Sequence, residues 1–320
     1  MNKLPEFLIE MLEKQYGKEY ADRIIDGYTK KRPVTLRVNT LKANNIKIER
    51  ELNNAKIEFE KMAIFNNTYI IKNVREDEIK KLEIYKNGEI YLQSLSSMLP
   101  PIILEPKEGE DILDMAAAPG GKTTQIATLT NNNAHITACE LNKIRLERLK
   151  YNVDKQGATS VYIMNEDSRK INDYFSFDRI LLDAPCSGSG TLYLEEQENT
   201  NINSNNIENV LDTKGENNSG KFTLKLIEKS TKSQLELLKK ALKILKPGHE
   251  MVYSTCSILQ EENEDVLNEV LKTVKAKIIP IDFSSINELS LLPTKIEGTL
   301  CIMPNELFEG FFVAKIVKEE

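Results

Sequence analysis

The chain has 320 residues, 40% hydrophobic and 29% charged, with a formal net charge of −6; this describes a folded globular protein with room for two domains and excludes a disordered or fibrous one. No apolar run approaches the roughly 20 residues of a membrane span, and an acidic balance taken alone disfavours a polyanionic partner. The four cysteines, Cys139, Cys186, Cys256 and Cys301, form no CxxC pair and have no metal-ligand spacing to a histidine, which excludes a disulfide framework and a zinc site as organising features.

In chain order, the opening stretch MNKLPEFLIEMLEKQYGKEY sets Glu6, Glu10 and Glu13 within an apolar period. It predicts an amphipathic helix and not a signal peptide, so the expected location is the cytoplasm. Residues 30–50 carry Lys30, Lys31, Arg32, Arg37, Lys42, Lys47 and Arg50 against Glu49 alone. Such a run is either a solvated face or a phosphate-contacting surface, and charge alone does not choose. Residues 1–90 mix short helical and alternating segments and are assigned to a small N-terminal α+β domain. Residues 91–320 form the second domain.

From residue 111 a regular rhythm sets in. DILDM (111–115), HITACE (135–140), VYIMN (161–165), FDRILLDA (177–184) and EMVYSTC (250–256) are short apolar runs that read as strands. Helical patterns separate them, notably NKIRLERLKYNVDKQG (142–157), closed by Gly157. Alternating strands and helices predict an α/β, doubly wound, mostly parallel sheet with ligands at the carboxyl ends of its strands. Residues 195–220 break the rhythm, being rich in Asn, Glu and Gly with few apolar residues; they are expected to form a mobile insertion near the mouth of a site after Cys186.

The first strand runs into LDMAAAPGGKTTQIA (113–127), where small residues and two glycines admit a ligand to the backbone ahead of a helix N-terminus. It is not a phosphate-binding loop, since Ala116 occupies the place of the required glycine, and G-x-G-x-x-G is absent. Glu140 ends the second strand, where an acid can bind ribose hydroxyls, and Asp167 follows the third, within reach of an adenine edge. Singly, each is as well explained as a cap or turn residue. Together they predict an adenosine-containing cofactor.

DMAAAPGGKT, ACELNKIRLERL, EDSRKI, LLDAPCSGSGT and YSTCSILQEENEDV stand in the order of, and are similar to, the motifs of the Nop/Sun family of RNA cytosine-C5 methyltransferases. RVNTLK (37–42), YLQSLSSMLP (91–100) and GFFVAKI (310–316) resemble further landmarks, so the likeness covers nearly the whole chain. The resemblance implies a class I methyltransferase fold, Rossmann-like, with a seven-stranded sheet whose last strand, GFFVAKI, is antiparallel. It implies S-adenosyl-L-methionine as cofactor, bound by Ala116, Ala117, Ala118, Pro119, Gly120, Gly121, Lys122, Glu140, Asp167 and Asp183. It implies Cys256 as the nucleophile that adds to C6 of cytosine, Cys186 as the thiol that assists release, and Asp183 as a general acid at N3 with a raised pKa in a dry site. The strands preceding the two cysteines should be neighbours, about 4.8 Å apart, so that both sulfurs face one flipped base.

The substrate is expected to be structured RNA, 16S rRNA ahead of tRNA, docked in part by phosphate contacts from the N-terminal region and residues 30–50. The chain is expected to act as a monomer, with no metal and no membrane. Departures from the family pattern are LYLEEQEN after SGSGT and KPGH in place of KPGG. The competing functions are a non-catalytic RNA-binding assembly factor, disfavoured by the presence of Asp183, Cys186 and Cys256, and a nicotinamide oxidoreductase, disfavoured by the missing glycine motif.

Overall fold

The structure is a computed structural model that describes residues 4–62, 65–194, 222–281 and 289–320. The expected insertion at 195–220 lies outside the described residues. Helices α1 (Glu6–Tyr16) and α2 (Lys18–Thr29) open the chain and meet at Gly17, whose φ of 81° suits a residue without Cβ. The periodic apolar face of the pair, Leu8, Leu12, Ile24 and Tyr28, is fully buried in one core with Tyr253 and Phe312 of the large sheet.

Strands β1 (Val34–Val38), β2 (Phe59–Lys61), β3 (Thr68–Ile71) and β4 (Ile90–Leu92) form a smaller antiparallel sheet in the order β2-β3-β1-β4. Helix α3 (Asn45–Asn54) packs on it, started by the Asn44 side chain, which accepts from Lys47 N at 2.9 Å. The two-residue period of β1 sends Val34, Leu36 and Val38 into a separate core with Ile48 and Leu52 of α3. On the other face Thr35 and Arg37, and Asn39 just past the strand, are buried polar groups; Arg37 and Asn39 hydrogen-bond beyond the small sheet, to Thr124 and Gln156 O. Short helices α4 (Glu76–Lys81) and α5 (Glu83–Lys86) lead to β4, and α6 (Leu95–Leu104) leads on to the large sheet.

The large sheet is built on β5 (Asp111–Asp114), β6 (His135–Cys139), β7 (Val161–Met164), β8 (Phe177–Asp183) and β9 (Leu245–Thr255), all parallel, in the order β7-β6-β5-β8-β9. The intervening helices are α7 (Gly121–Leu129), α8 (Lys143–Gln156) and α9 (Leu224–Ile244). Ile180, Leu181 and Leu182 are fully buried, as continuous apolar strands covered on both faces must be. After α10 (Glu264–Leu271) come β10 (Ala276–Ile279), β11 (Leu291–Leu292), β12 (Leu300–Ile302) and β13 (Phe311–Lys318). The expected seven strands are β7-β6-β5-β8-β9-β13-β10, with β13 antiparallel to β9. The described sheet has nine because β12 pairs with the first half of β13 and carries β11, while β10 takes the second half. The order reverses between β5 and β8, which opens a crevice at their carboxyl ends.

Candidate active site at the ends of β5, β8 and β9

Beyond β5 the chain turns through Met115–Pro119 into α7. Ala116, Ala117, Ala118, Pro119, Gly121 and Lys122 line a cleft together with Asp183, and the facing wall is residues 91–94 and Ser97, from β4 and the start of α6. Gly120 points elsewhere: its φ is 108°, and a Cβ there would meet Leu149 at 3.1 Å, so it shapes the turn. The cleft is also lined by Asp114, the first residue of DMAAAPGGKT, which the sequence reading did not single out as a site residue. Its Oδ2 accepts from Thr123 Oγ1 at 2.7 Å, whereas its buried Oδ1 has no hydrogen-bond partner among the described residues. Burial, with the Asp183 charge adding to it, pushes this carboxyl up to about 6.

Glu140 and Asp167 stand at the ends of the next two strands, outside the lining of that cleft. Glu140 accepts from Asn142 N at 2.7 Å and approaches Arg145 at 3.5 Å. Asp167 is gripped by Arg169 at 2.7 Å, and these hydrogen bonds hold its carboxyl below the usual range. Arg169 is itself fixed by Glu236 at 2.7 Å. Each acid is thus tied to an arginine of its own turn.

At the ends of β8 and β9 the register sets Asp183 opposite Ser254, so the turns that follow lie side by side. Cys186 Sγ and Cys256 Sγ are 2.9 Å apart. Both are free thiols, half-buried, whereas Cys139 and Cys301 are buried thiols that burial pushes well up. The Cys186 thiol is raised by its hydrogen bond to Cys256, then by burial, then by charge interaction with Cys256 and, after it, with Glu262. Asp183, expected in a dry site, is partly open to solvent and paired. About a quarter of its side chain is exposed, and it accepts from Lys122 Nζ at 2.7 Å and from Ser254 Oγ at 2.7 Å. Lys122 also bonds Ser97 Oγ at 2.8 Å.

Two consecutive residues hold the two turns. Glu262 accepts from Ser187 N at 2.7 Å and Ser187 Oγ at 2.5 Å, beside Cys186, and its carboxyl is raised by burial. Asn263 accepts from Thr255 Oγ1 at 2.6 Å and donates to Ser257 O at 2.9 Å, one residue either side of Cys256. The turns are also joined directly, through Gly190 N to Cys256 O at 3.0 Å and Ser189 Oγ to Ser257 Oγ at 2.8 Å.

A profile of the family described as 16S rRNA methyltransferase RsmB/F matches residues 101–217 and 221–317, and one for its ferredoxin-like domain matches residues 4–74. The chain belongs to this family. Within the RsmB/F family and its kin, it is 32% identical over 292 residues to ribosomal RNA small subunit methyltransferase F of Shewanella piezotolerans, covering 89% of this chain and 57% of that protein. To the 25S rRNA (cytosine-C(5))-methyltransferase nop2 of Schizosaccharomyces pombe it is 30% identical, covering 98% of this chain and 50% of that protein. The chain therefore spans little more than half of these relatives. The solved structure of a methyltransferase homolog protein from Pyrococcus horikoshii superposes with a TM-score of 0.75 at 31% identity, over 98% of this chain and all of that one. NSun6 from the same organism, solved with SFG, an S-adenosylmethionine analogue, superposes with a TM-score of 0.80 at 24% identity over 99% and 98% of the two chains, a likeness of fold.

In this RsmB/F family member the basic run of residues 30–50 divides between groups bonded into the fold and exposed ion pairs. Arg32 Nε donates to Phe308 O at 2.9 Å, and Lys42 Nζ reaches Lys155 O at 2.7 Å. Lys30 pairs with Asp26 at 2.8 Å, Lys47 with Glu89 at 2.7 Å and Arg50 with Glu51 at 3.3 Å, while Arg37 is only 4% exposed. Arg32, Arg37 and Lys42 thus bond to distant parts of the fold, whereas Lys30 and Arg50 pair with near neighbours at the surface.

Proposed function

We propose that this chain methylates C5 of cytosine in RNA, with S-adenosylmethionine held in the cleft between β4 and the turn after β5 and with Cys256 as nucleophile. The observation that carries the reading is the 2.9 Å approach of two free sulfurs beside Asp183, because a cofactor site alone needs no thiol pair. The residues present fit the cofactor. Three successive alanines admit it to the backbone, and the unpartnered Oδ1 of Asp114 suits a ligand bearing positive charge. Ala116–Lys122 would hold it, with Glu140 and Asp167 exchanging their arginine contacts for ribose and adenine. When bound, it supplies an electrophilic methyl group.

C5 of cytosine becomes nucleophilic only when a thiolate has added to C6 and N3 has been protonated or strongly hydrogen-bonded. Cys256 forms the bond to C6. The Lys122–Asp183 ion pair serves N3. Cys186 keeps its proton through the contacts that raise it. After C5 is methylated, its proton leaves to a base and the C6–sulfur bond breaks, a step that Cys186 assists. The N-terminal sheet contributes β4 to the cleft wall, and we assign that domain to RNA docking.

Small-subunit ribosomal RNA is the proposed substrate, since the bacterial relative acts under that name; tRNA is the second reading. The full chain is incubated with labelled S-adenosylmethionine and RNA from cells lacking its gene. Label is expected as 5-methylcytosine, located by bisulfite sequencing in 16S rRNA. Label confined to tRNA overturns the choice of RNA, and cofactor binding with no transfer to any RNA leaves the assembly-factor reading.

A further inference from the structure

Arg37, in the middle of β1, is buried, yet its described partners are all uncharged. Nη2 donates to Gly121 O at 3.4 Å and Thr124 Oγ1 at 3.3 Å, Nη1 to Thr128 Oγ1 at 3.4 Å, and Nε to Gln93 Oε1 at 3.3 Å. Its guanidinium carbon lies 5.8 Å from the Tyr91 ring centroid. Among the described residues no carboxylate pairs with it, and burial pulls the guanidinium down to about 10. A buried cation held by neutral acceptors alone is costly to keep. Three of its contacts, Gly121, Gln93 and Tyr91, are walls of the cleft. They come from opposite sides of it, β4 and its continuation on one and the first residue of α7 on the other.

We infer that Arg37 is a positioning residue for the cofactor: from the small sheet it fixes the spacing between the Gly120–Lys122 turn and the Tyr91–Gln93 wall, making that sheet a structural part of the cofactor site. The inference rests on the cofactor reading above. It explains why Gln93 is itself braced, donating to Ser97 O at 3.0 Å and Gln125 Oε1 at 3.1 Å, so that the network closes on α7. A planar guanidinium serves several acceptors at fixed angles, which an ammonium cannot do. Lys42, from the same RVNTLK stretch, ties the small sheet to α8 through Lys155 O and touches none of these walls.

The test is calorimetric titration of the full chain with S-adenosylhomocysteine, alongside thermal unfolding without ligand. Arg37→Met is expected to raise Kd at least tenfold, Arg37→Lys to fall between it and wild type, and Lys42→Met to stay within twofold. Kd within twofold of wild type for Arg37→Lys and, where it folds, Arg37→Met overturns the inference. So does an equal loss in Lys42→Met, which would make the effect one of general domain attachment. Failure of the wild type to bind would instead sink the cofactor reading, a distinguishable result.

Discussion

The turns after β8 and β9 are near-copies: each ends a buried strand, each carries a half-buried thiol, and each is held by one of two adjacent residues. They differ in the charge of that holder. Cys186 sits next to Ser187, which is bound by the buried Glu262 carboxyl, and its thiol is raised; Cys256 sits between two residues bound by the neutral Asn263. Two sulfurs in contact can divide labour only if something sets them apart. The buried Glu262 carboxyl, which adds to the contact with Cys256 and to burial in raising Cys186, is one such difference, while the backbone geometry stays nearly symmetric.

The strongest way to break the comparison is Cys256→Ala. Methyl transfer to RNA is expected to fall by about 10³-fold or more, with no covalent RNA complex on a denaturing gel. Cys186→Ala should also stop turnover, but by arresting release, so a protein–RNA adduct accumulates. If the adduct forms in the Cys256 variant instead, the roles are reversed. Glu262→Gln, which removes the charge and keeps the shape, is expected to make Cys186 several-fold more reactive toward iodoacetamide at pH 8, read by mass spectrometry. An unchanged rate would mean that the carboxyl only holds the loop.

The smallest effect on the pair is expected from Asp114→Asn, which touches neither thiol. Because burial raises the folded pKa of Asp114 to about 6, the protonated carboxyl favours the folded state. Its contribution is complete below about pH 4 and is lost as pH rises through 6. Moving a carboxyl that far above its ordinary range is worth about 3 kcal/mol. In Asp114→Asn, the ligand-free protein should lose that part of the pH dependence between 4 and 6, measured by urea unfolding.

The parallel strands were legible because a strand covered on both faces reads as an apolar run, as the buried ILL of 180–182 does. The pairs β11 and β12, and β2 and β4, were not, since two or three residues cannot display a period. The loop, Asp183 and both cysteines were legible from motifs. Arg37 misled for a physical reason: a cation in the sequence looks alike whether it meets phosphate or carbonyl oxygens, and only the fold reveals that β1 turns it inward. Glu262 and Asn263 were hidden in the run QEENEDV, where acids before α10 suggest nothing more than a helix start.

The contact between Gly190 and Gly310 carries a consequence for when the site exists during synthesis. Gly310 N donates to Gly190 O at 2.8 Å, and a Cβ on Gly190 would lie 2.0 Å from Gly310 O. Since Gly190 in turn binds Cys256 O, the thiol pair is clasped by a residue made more than 50 positions after Cys256. A growing chain can make the bonds of Glu262, Asn263 and the two turns first, but the Gly310 clasp is added only when that residue has emerged, so a product stopped before it would carry both sulfurs with one of their fastenings missing.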